Sequence, residues 1–457
     1  MIKKCFFSCT VFIVCYSLQA QQINDSLTIR KIADEVLINS EAYSNLRYLT
    51  KKVGPRLSGS ENAQQAVKVT MRMLTEAGAD TVYLQPCMVP HWVRGAKETG
   101  YIKVPGGKTY NLKLTALGNS VATKPSGAGG DIIEVKSMAA LHNLGNKVKG
   151  KIVFFNISMN PTYINTFRAY GESGVGRRSG PSQAAKYGAI GVMVRSLAIN
   201  VDDHPHTGAT QYNDSFPKLP AVAISTADAE WLSVTLSKNI KVSGYFKTNC
   251  VMLPDILSYN VVGEIKGATH PEEIIAVGGH LDSWDLAEGA QDDGSGCVQS
   301  IEVLRAIKKL ELKPNRTIRA VMFMNEENGG RGGNAYLAMA KEKNEQHVFA
   351  LESDEGGFTP RSFSLEMSKD KMEKMMQWQY LFKDYGISNF VAGGSGSDIE
   401  PLKQLGTPLA GLSPDSQRYF DLHHAETDIF EAVSKRELEL GALNMAALVW
   451  LVSEYGL

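Results

Sequence analysis

Two patterns of apolar residues alternate along the chain after Pro254. Short continuous apolar runs are typical of buried strands, and segments with apolar residues at helical spacing separate them. The predicted strands cover residues 259–266, 274–277, 317–324, 347–352 and 409–412, and the predicted helices cover 295–310, 369–384 and 438–457. This alternation predicts an α/β fold with a mixed, largely parallel sheet flanked by helices.

Residues 116–252 have a different pattern, with short β-type runs and little helix. The runs cover residues 131–135, 151–157, 190–194 and 221–225, and one helical piece covers 183–187. We therefore predict a β-rich unit inserted at 116–252. This unit would divide the main domain into a first part at 21–115 and a second part at 253–457.

An amphipathic helix is predicted in the first part of the main domain. It begins near Asn62 and ends at Gly78, a residue type that commonly terminates helices. The residues expected on its buried face are Ala63, Ala66, Val67, Met71, Leu74 and Ala77.

The first residues predict a secretory signal peptide at 1–20. Lys3 and Lys4 precede an apolar run that ends at Leu18, and Ala20 is a small residue at the expected cleavage position. The run is too short to span a bilayer, and no later stretch of about 18 apolar residues occurs in the sequence. We therefore expect an exported protein, periplasmic or extracellular, without a stable membrane anchor.

The charge balance argues against a nucleic-acid partner. The 457 residues include 48 Lys and Arg against 48 Asp and Glu. Binding to a phosphate backbone requires a strongly basic face, which these counts do not force. Removal of residues 1–20 leaves Cys87, Cys250 and Cys297, so at most one internal disulfide is possible and disulfides are not the scaffold.

Polar side chains follow three of the predicted buried strands directly. The three segments are His280-Leu281-Asp282, Asn325-Glu326-Glu327 and Glu352-Ser353-Asp354. Ligands of open α/β sheets bind beyond the carboxyl ends of the strands, so we expect these side chains to meet there. Asp292-Asp293, in a Gly-Ser turn, and His423-His424, in a loop, add further carboxylates and imidazoles.

Such a cluster indicates a metal site. Carboxylates and imidazoles buried together without a cation repel one another and are costly to remove from water. Ligands of these types without Cys suit Zn²⁺ or a related first-row ion, and one shared carboxylate suits two ions about 3.5–4 Å apart. Asp292 would be that bridge. Of the adjacent Glu326 and Glu327, one can bind metal while the other acts as a base.

The order and spacing of these residues resemble the co-catalytic zinc exopeptidase family. That family includes bacterial leucyl aminopeptidases, glutamate carboxypeptidases and the catalytically inactive transferrin receptors. The matching features are His280-Leu281-Asp282, the twelve-residue step to Asp292-Asp293-Gly-Ser-Gly, Glu326-Glu327, Asp354, His424 followed by Asp428, Gly54 to Ser60, and Tyr259 to Val262. Residues 116–252, with Gly150-Lys151-Ile152-Val153 and Ala184 to Ala189, resemble a protease-associated domain.

The resemblance implies two zinc ions per chain, bridged by Asp292 and a water or hydroxide. It assigns His280, Asp292 and Asp354 to one ion. It assigns Asp292, Glu327 and His424 to the other ion.

The resemblance also implies roles for two acids that do not bind metal. Glu326 is the general base that takes a proton from the bridging water. Asp282 accepts the far ring N–H of His280 and fixes its tautomer. The family further implies a homodimer that cleaves dipeptides or short peptides, with loops such as Gly393 to Asp398 and the region around Tyr419 lining the pocket.

Three functions remain open on the sequence. The first is an exopeptidase, in which recognition of the amino or the carboxyl end of the peptide is undecided. The second is a related metallohydrolase with a separate dimerisation lid, which the short step from His280 to Asp292 and the early insertion disfavour. The third is a binding or receptor protein on an inactive peptidase scaffold, which would be expected to lack ligands, whereas none is missing here.

The remaining histidines are expected to have structural roles. His423 is interpreted as a packing or substrate-side neighbour of His424. His204-Pro205-His206 is interpreted as a solvated surface segment of the inserted unit, although its two imidazoles could chelate metal. His91 and Cys297 are assigned to packing.

Overall fold

The computed structural model describes residues 24–238 and 240–457. The predicted signal peptide at 1–20 lies outside these residues. A first helix, α1, covers 24–39. The other helices are α2 (Ala42–Tyr48), α3 (Glu61–Glu76), α4 (Met138–Leu144), α5 (Thr166–Ser173), α6 (Val175–Arg178), α7 (Gly180–Lys186), α8 (Thr226–Ser237), α9 (Ser295–Lys309), α10 (Arg331–Glu342), α11 (Lys369–Met376) and α12 (Lys435–Tyr455).

The strands of the described residues form two eight-stranded sheets. In chain order they are β1 (Thr81–Val93), β2 (Thr99–Lys103), β3 (Thr109–Asn111), β4 (Leu114–Ala116), β5 (Ala128–Val135), β6 (Ile152–Phe155), β7 (Gly191–Arg195), β8 (Ala221–Ile224), β9 (Ser243–Lys247), β10 (Val251–Ile265), β11 (His270–His280), β12 (Arg316–Phe323), β13 (Gln346–Glu352), β14 (Pro360–Glu366), β15 (Asn389–Ala392) and β16 (Leu409–Pro414).

The first sheet has the order β1-β10-β12-β11-β13-β16-β14-β15. Its central strands β12, β11, β13 and β16 run parallel, and antiparallel pairs flank them. Strand β11 is central and buried from Ile275 to His280, as expected for a parallel strand covered on both faces. Helices α9 and α12 pack against each other and against this sheet. The predicted α/β fold with a mixed, largely parallel sheet is confirmed.

Helix α3 confirms one predicted helix and corrects one of its residues. Ser60 caps the helix, because its hydroxyl accepts the N–H of Ala63 at 3.1 Å. The predicted buried face is present except for Met71, which is 38% exposed. Met73 is buried in its place, because the buried face continues through Thr70 and Met73 and Met71 lies to one side of it.

The second sheet has the order β3-β2-β9-β5-β6-β7-β8-β4, and its strands lie between Thr99 and Lys247. Strands β5 to β8 and helix α7 occupy the segments that the sequence predicted. Strands β2 and β3 precede residue 116, and β4 ends there, so this sheet begins earlier in the chain than the predicted insertion at 116–252. Apolar clusters of its own lie on the sheet, with Phe154 and Phe155 among their buried residues. We call residues 99–247 the second-sheet unit.

None of the helices in the described residues combines the length and the apolar composition that crossing a bilayer requires.

Arg56, in the segment from Gly54 to Ser60, is completely buried and holds the loop that follows β11. Its guanidinium donates to the carbonyls of Leu281 (2.6 Å), Glu288 (2.6 Å) and Gly289 (2.8 Å).

We expect Arg56→Met to lower the free energy of unfolding by about 3 kcal/mol or more, because buried carbonyls lose their donors. Urea unfolding measures this change. Arg30→Met, at an exposed position, should change it by less than about 0.5 kcal/mol; equal losses in the two variants would contradict the role of Arg56.

Candidate metal centre

His280, the last residue of β11, lies at the carboxyl edge of the parallel strands and is fully buried. Its Nε2 lies 3.1 Å from Asp292 Oδ1 and 3.1 Å from Asp354 Oδ1. Asp354 comes two residues after the end of β13, the strand beside β11. The ends of two neighbouring parallel strands therefore bring together His280 and Asp354 of the first predicted ligand set.

Asp292 lies in the turn that leads from the loop after β11 into α9. Its backbone N–H and that of Gln291 donate to the carboxylate of Asp428 at 3.1 and 2.7 Å. The peptide bond between Asp292 and Asp293 is cis. The Asp292 carboxylate faces two histidines, because Oδ1 lies 3.1 Å from His280 Nε2 and Oδ2 lies 3.3 Å from His424 Nε2. This position matches that of the predicted bridge.

The adjacent glutamates after β12 face different groups. Glu327 Oε2 lies 3.2 Å from His424 Nε2, and its Oε1 accepts the backbone N–H of Trp284 at 3.2 Å. Glu326 lies beside the large cavity described below. Glu327 therefore faces a histidine, as its assignment to a ligand requires, and Glu326 borders the cavity, as its assignment to a base requires.

Asp282 has a different hydrogen-bonding role from the one predicted. The Nδ1–H of His280 donates to the backbone carbonyl of Asp282 at 2.9 Å, whereas its distance to the carboxylate Oδ1 is 3.9 Å. The carboxylate instead accepts the backbone N–H groups of Asn325 (2.6 Å) and Glu326 (3.0 Å). Asp282 thus fixes the turn that carries the glutamates, and its carbonyl fixes the His280 tautomer.

Burial makes the charge balance of the cluster unfavourable without a cation. Burial and the nearby Asp292 carboxylate raise the pKa of Glu327 to about 8. Burial, with smaller contributions from Glu326 and Asp292, raises the pKa of Asp354 to about 6 despite the attraction of His280. Although burial opposes it, the negative charge of Glu327 raises the pKa of His424 to about 10. Protons are therefore retained where a metal ion would supply the compensating charge.

The side chains fit a metal ion by position and by type. Ligand atoms of His280, Asp292 and Asp354 all lie within 4.8 Å of one another, and so do those of Asp292, His423 and His424. Asp292 Oδ2 is buried without a hydrogen bond. Imidazole nitrogens and carboxylate oxygens are typical zinc ligands. The two groups share Asp292, as expected of a bridging residue.

His423 is closer to the centre than the sequence indicated. Its ring stacks on that of His424 with centroids 3.5 Å apart, and its Nε2 lies 3.7 Å from Asp292 Oδ2. It also borders the cavity, as expected of a substrate-side neighbour. The geometric group around His424 contains His423, whereas the resemblance assigns Glu327 to that position.

The segment His204 to His206 corrects another interpretation. His206 is buried, and its Nδ1 donates to the backbone carbonyl of His423 at 2.7 Å. His204 is more exposed and lies 2.9 Å from Glu426 Oε1. The segment is therefore an internal contact with the loop of His423 and His424 rather than a solvated surface loop.

A cavity of about 1220 Å³ opens onto the predicted metal ligands. Its walls include three of the predicted site residues, Asp292, Glu326 and Glu327. They also include Tyr419 and the loop from Gly393 to Ser397, both of which were predicted to line the pocket. Residues of the second-sheet unit complete the wall, among them Phe167, Tyr170, Arg177 and Arg178. These four residues could not be predicted from the sequence, because no motif surrounds them.

The chain was compared with known proteins. Residues 260–449 match the family model "Peptidase family M28". Carboxypeptidase Q of Homo sapiens is 35% identical over 416 residues, which cover 91% of this chain and 85% of that protein. A crystal structure of a peptidase M28 precursor from Shewanella amazonensis SB2B has a TM-score of 0.90 at 31% identity, covering 94% of this chain and 96% of that one.

A more distant structure shares the fold alone. BSAP, a zinc aminopeptidase from Bacillus subtilis, has a TM-score of 0.65 at 20% identity, covering 90% of this chain and 94% of that one. Together, the fold, the converging histidines and carboxylates, and the similarities define a peptidase. The chain belongs to peptidase family M28, with carboxypeptidase Q among its relatives. The predicted family is confirmed.

Zinc should stabilise chelator-treated protein, because it compensates the buried carboxylates. At about 1,000 times its Kd, a bound ion contributes about 4 kcal/mol, and differential scanning calorimetry detects the resulting rise in Tm. Asp292→Asn should lose most of this rise, since Asp292 faces both histidines. His270→Ala removes a histidine from an exposed group that also contains Glu272 and Glu273, and it should retain the full rise. A wild-type response in Asp292→Asn would contradict the shared-ligand arrangement.

Proposed function

We propose that the protein is a di-zinc exopeptidase that hydrolyses dipeptides or short peptides. The observation that carries this proposal is the position of Asp292 between His280 and His424, at 3.1 and 3.3 Å, beside a cavity that Glu326 borders. His280, Asp292 and Asp354 would hold one ion, and Asp292, Glu327 and His424 the other. A receptor on an inactive scaffold is disfavoured, because all predicted ligands are present and positioned together.

Glu326 is the proposed general base. Bound zinc polarises the scissile carbonyl and makes a water easier to deprotonate. Glu326 takes the proton from the attacking water and delivers it to the leaving amine. Its backbone N–H is held by Asp282 Oδ1 at 3.0 Å, which orients the turn. In the described part of the chain, its carboxylate forms no ion pair with His280 or His424, so it remains available to the substrate.

Arg177 supports recognition of the carboxyl end of the peptide. Its guanidinium is buried, borders the cavity, and has Nη1 3.4 Å from His424 Nδ1. Among residues 24–238 and 240–457, no carboxylate forms an ion pair with it, and its Nε has no hydrogen bond. A buried guanidinium beside the metal ligands suits the α-carboxylate of a substrate. We therefore favour a carboxypeptidase resembling carboxypeptidase Q.

The cavity also offers a partner for an amino end. Glu355 borders it, one residue after the ligand Asp354, and a carboxylate there suits an α-ammonium group. Partners for both ends fit a dipeptide substrate. An aminopeptidase remains the alternative, in which Glu355 rather than Arg177 dominates recognition.

The second-sheet unit is proposed to be an inserted protease-associated domain that narrows access to the site. Tyr170, Arg177 and Arg178 from this unit border the cavity, which supports that proposal. Narrowed access would exclude folded proteins and favour short peptides. We further propose export after removal of residues 1–20, and a homodimer, which sedimentation would test directly.

Exchange of each adjacent glutamate should separate the base from the ligand. Glu326→Gln should retain two zinc ions but reduce kcat by about 10²–10⁴, the usual contribution of a general base. Glu327→Gln is the matched control and should instead lose zinc, measured by elemental analysis. An unchanged kcat in Glu326→Gln would refute its assignment.

Blocked dipeptides distinguish the two ends. We expect amidation of the carboxyl end to reduce kcat/KM more than acetylation of the amino end. Arg177→Met should raise KM for the free dipeptide by about 10- to 100-fold, corresponding to a lost charged hydrogen bond, and should hardly change kinetics with the amide. Arg361→Met is the matched control, because Arg361 borders the cavity but already pairs with Asp415 at 3.0 Å. Equal effects on both substrates would contradict carboxyl-end recognition.

A further inference from the structure

The connection between β7 and β8 of the second-sheet unit contacts the loop that carries His424. Thr207 donates its backbone N–H to the His424 carbonyl at 2.9 Å. His206 Nδ1 donates to the His423 carbonyl at 2.7 Å. Ser196 accepts the backbone N–H of His206 at 2.8 Å and ties this connection to its own sheet. Consecutive backbone carbonyls of the ligand loop are thus held by the second-sheet unit.

The same connection contacts the ring of His424. His424 Nδ1 lies 3.3 Å from the carbonyl oxygen of Thr207. Because Nε2 faces Asp292 and Glu327, the neutral ligand carries its proton on Nδ1 and donates it to this carbonyl. Metal-binding histidines generally depend on such a partner for ring orientation and tautomer. Here the partner, Thr207, belongs to the second-sheet unit, whereas the ligand, His424, belongs to the main domain.

The backbone at His424 needs this support. Its φ of 63° is in the left-handed region, which is unfavourable for a residue with a side chain. Such conformations persist when the surrounding structure fixes them. Gly208 allows the close approach, because a Cβ at this position would lie 2.4 Å from Arg177 Nη1 and 2.7 Å from His424 Nδ1.

The other half of the centre has no such dependence. His280 is oriented by the carbonyl of Asp282, within the main domain, at 2.9 Å. Throughout residues 24–238 and 240–457, no hydrogen bond or ion pair joins His280 or Asp354 to the second-sheet unit. The two halves of the centre therefore differ in what supports them.

We infer that His206, Thr207 and Gly208 form a positioning element for His424, so that the second-sheet unit completes only the metal subsite of His424 and Glu327. The subsite of His280 and Asp354 forms without it. This inference rests on the proposed function, because it presupposes two zinc ions. Loss of such a partner typically weakens metal binding by about 10- to 100-fold.

Gly208→Ala tests the inference with zinc binding as the readout. We expect a zinc titration against a chromophoric chelator to show one ion bound as in the wild type and one bound about 10- to 100-fold more weakly. Gly150→Ala is the matched control, because Gly150 also has positive φ (72°) and belongs to the same unit, but its Cβ would meet nothing within 4 Å. That variant should bind both ions normally.

Double variants identify the weakened subsite. Adding Gly208→Ala to Glu327→Gln should cost little further zinc affinity, whereas adding it to Asp354→Asn should weaken both ions. Normal binding of both ions by Gly208→Ala, or equal weakening of both, would overturn the inference. A wild-type protein that binds fewer than two ions would instead refute the proposed function, and the inference with it.

His206 provides an independent test if Gly208→Ala does not fold. His206→Leu removes the donor to the His423 carbonyl and should weaken one zinc ion selectively. His206→Asn places an amide N–H near the position of Nδ1 and should restore binding. A structural role alone predicts no selective loss and no rescue, so identical zinc binding by the two variants would overturn the positioning role.

Discussion

The whole centre depends on how buried carboxylates are compensated at one sheet edge. Backbone N–H groups compensate some of them and thereby shape the turns; these acids are Asp282, Asp293 and Asp428. Imidazoles face three further carboxylates, those of Asp292, Glu327 and Asp354. The second group remains available to bind a cation. The first group therefore determines where the second can bind it.

The centre also joins two sheets that have separate cores. Trp284 illustrates this connection, because its backbone N–H donates to the Glu327 carboxylate at 3.2 Å and its ring lies in one apolar cluster with Ala116 of β4. Arg94 pairs with Asp285 of the same loop at 2.6 Å and also donates to the carbonyl of Ala116 in β4 at 2.8 Å. Ligand positions and access to the cavity are consequently controlled by contacts between the sheets, in addition to the strand ends.

The sequence predicted the features that depend on local pattern. His280, Glu326, Glu327 and Asp354 are predicted as site residues because each follows a buried run that ends at the same sheet edge. Met71 was misplaced because apolar character alone did not distinguish it from Met73. Strands β2 and β3 were not predicted, because such short strands give a weak alternating signal.

Features that depend on distant contacts were not predictable. The burial of His206 results from docking onto the His423 carbonyl, which is 217 positions away in the chain. Arg177 lies in a short helix without any motif, and its importance appears only when the second-sheet unit is placed beside the ligands. The sequence could not show whether the carbonyl or the carboxylate of Asp282 accepts the Nδ1–H of His280. Both groups belong to one residue, and only their distances in the structure distinguish them.

The central claim is that Asp292 is shared between two metal ions. Anomalous diffraction at the zinc absorption edge, from crystals of the full protein grown with zinc, tests it most directly. The account predicts two peaks in contact with Asp292, one bounded by His280 and Asp354 and the other by His424 and Glu327. A single peak at this centre, or peaks only at exposed groups such as His270, would contradict the claim.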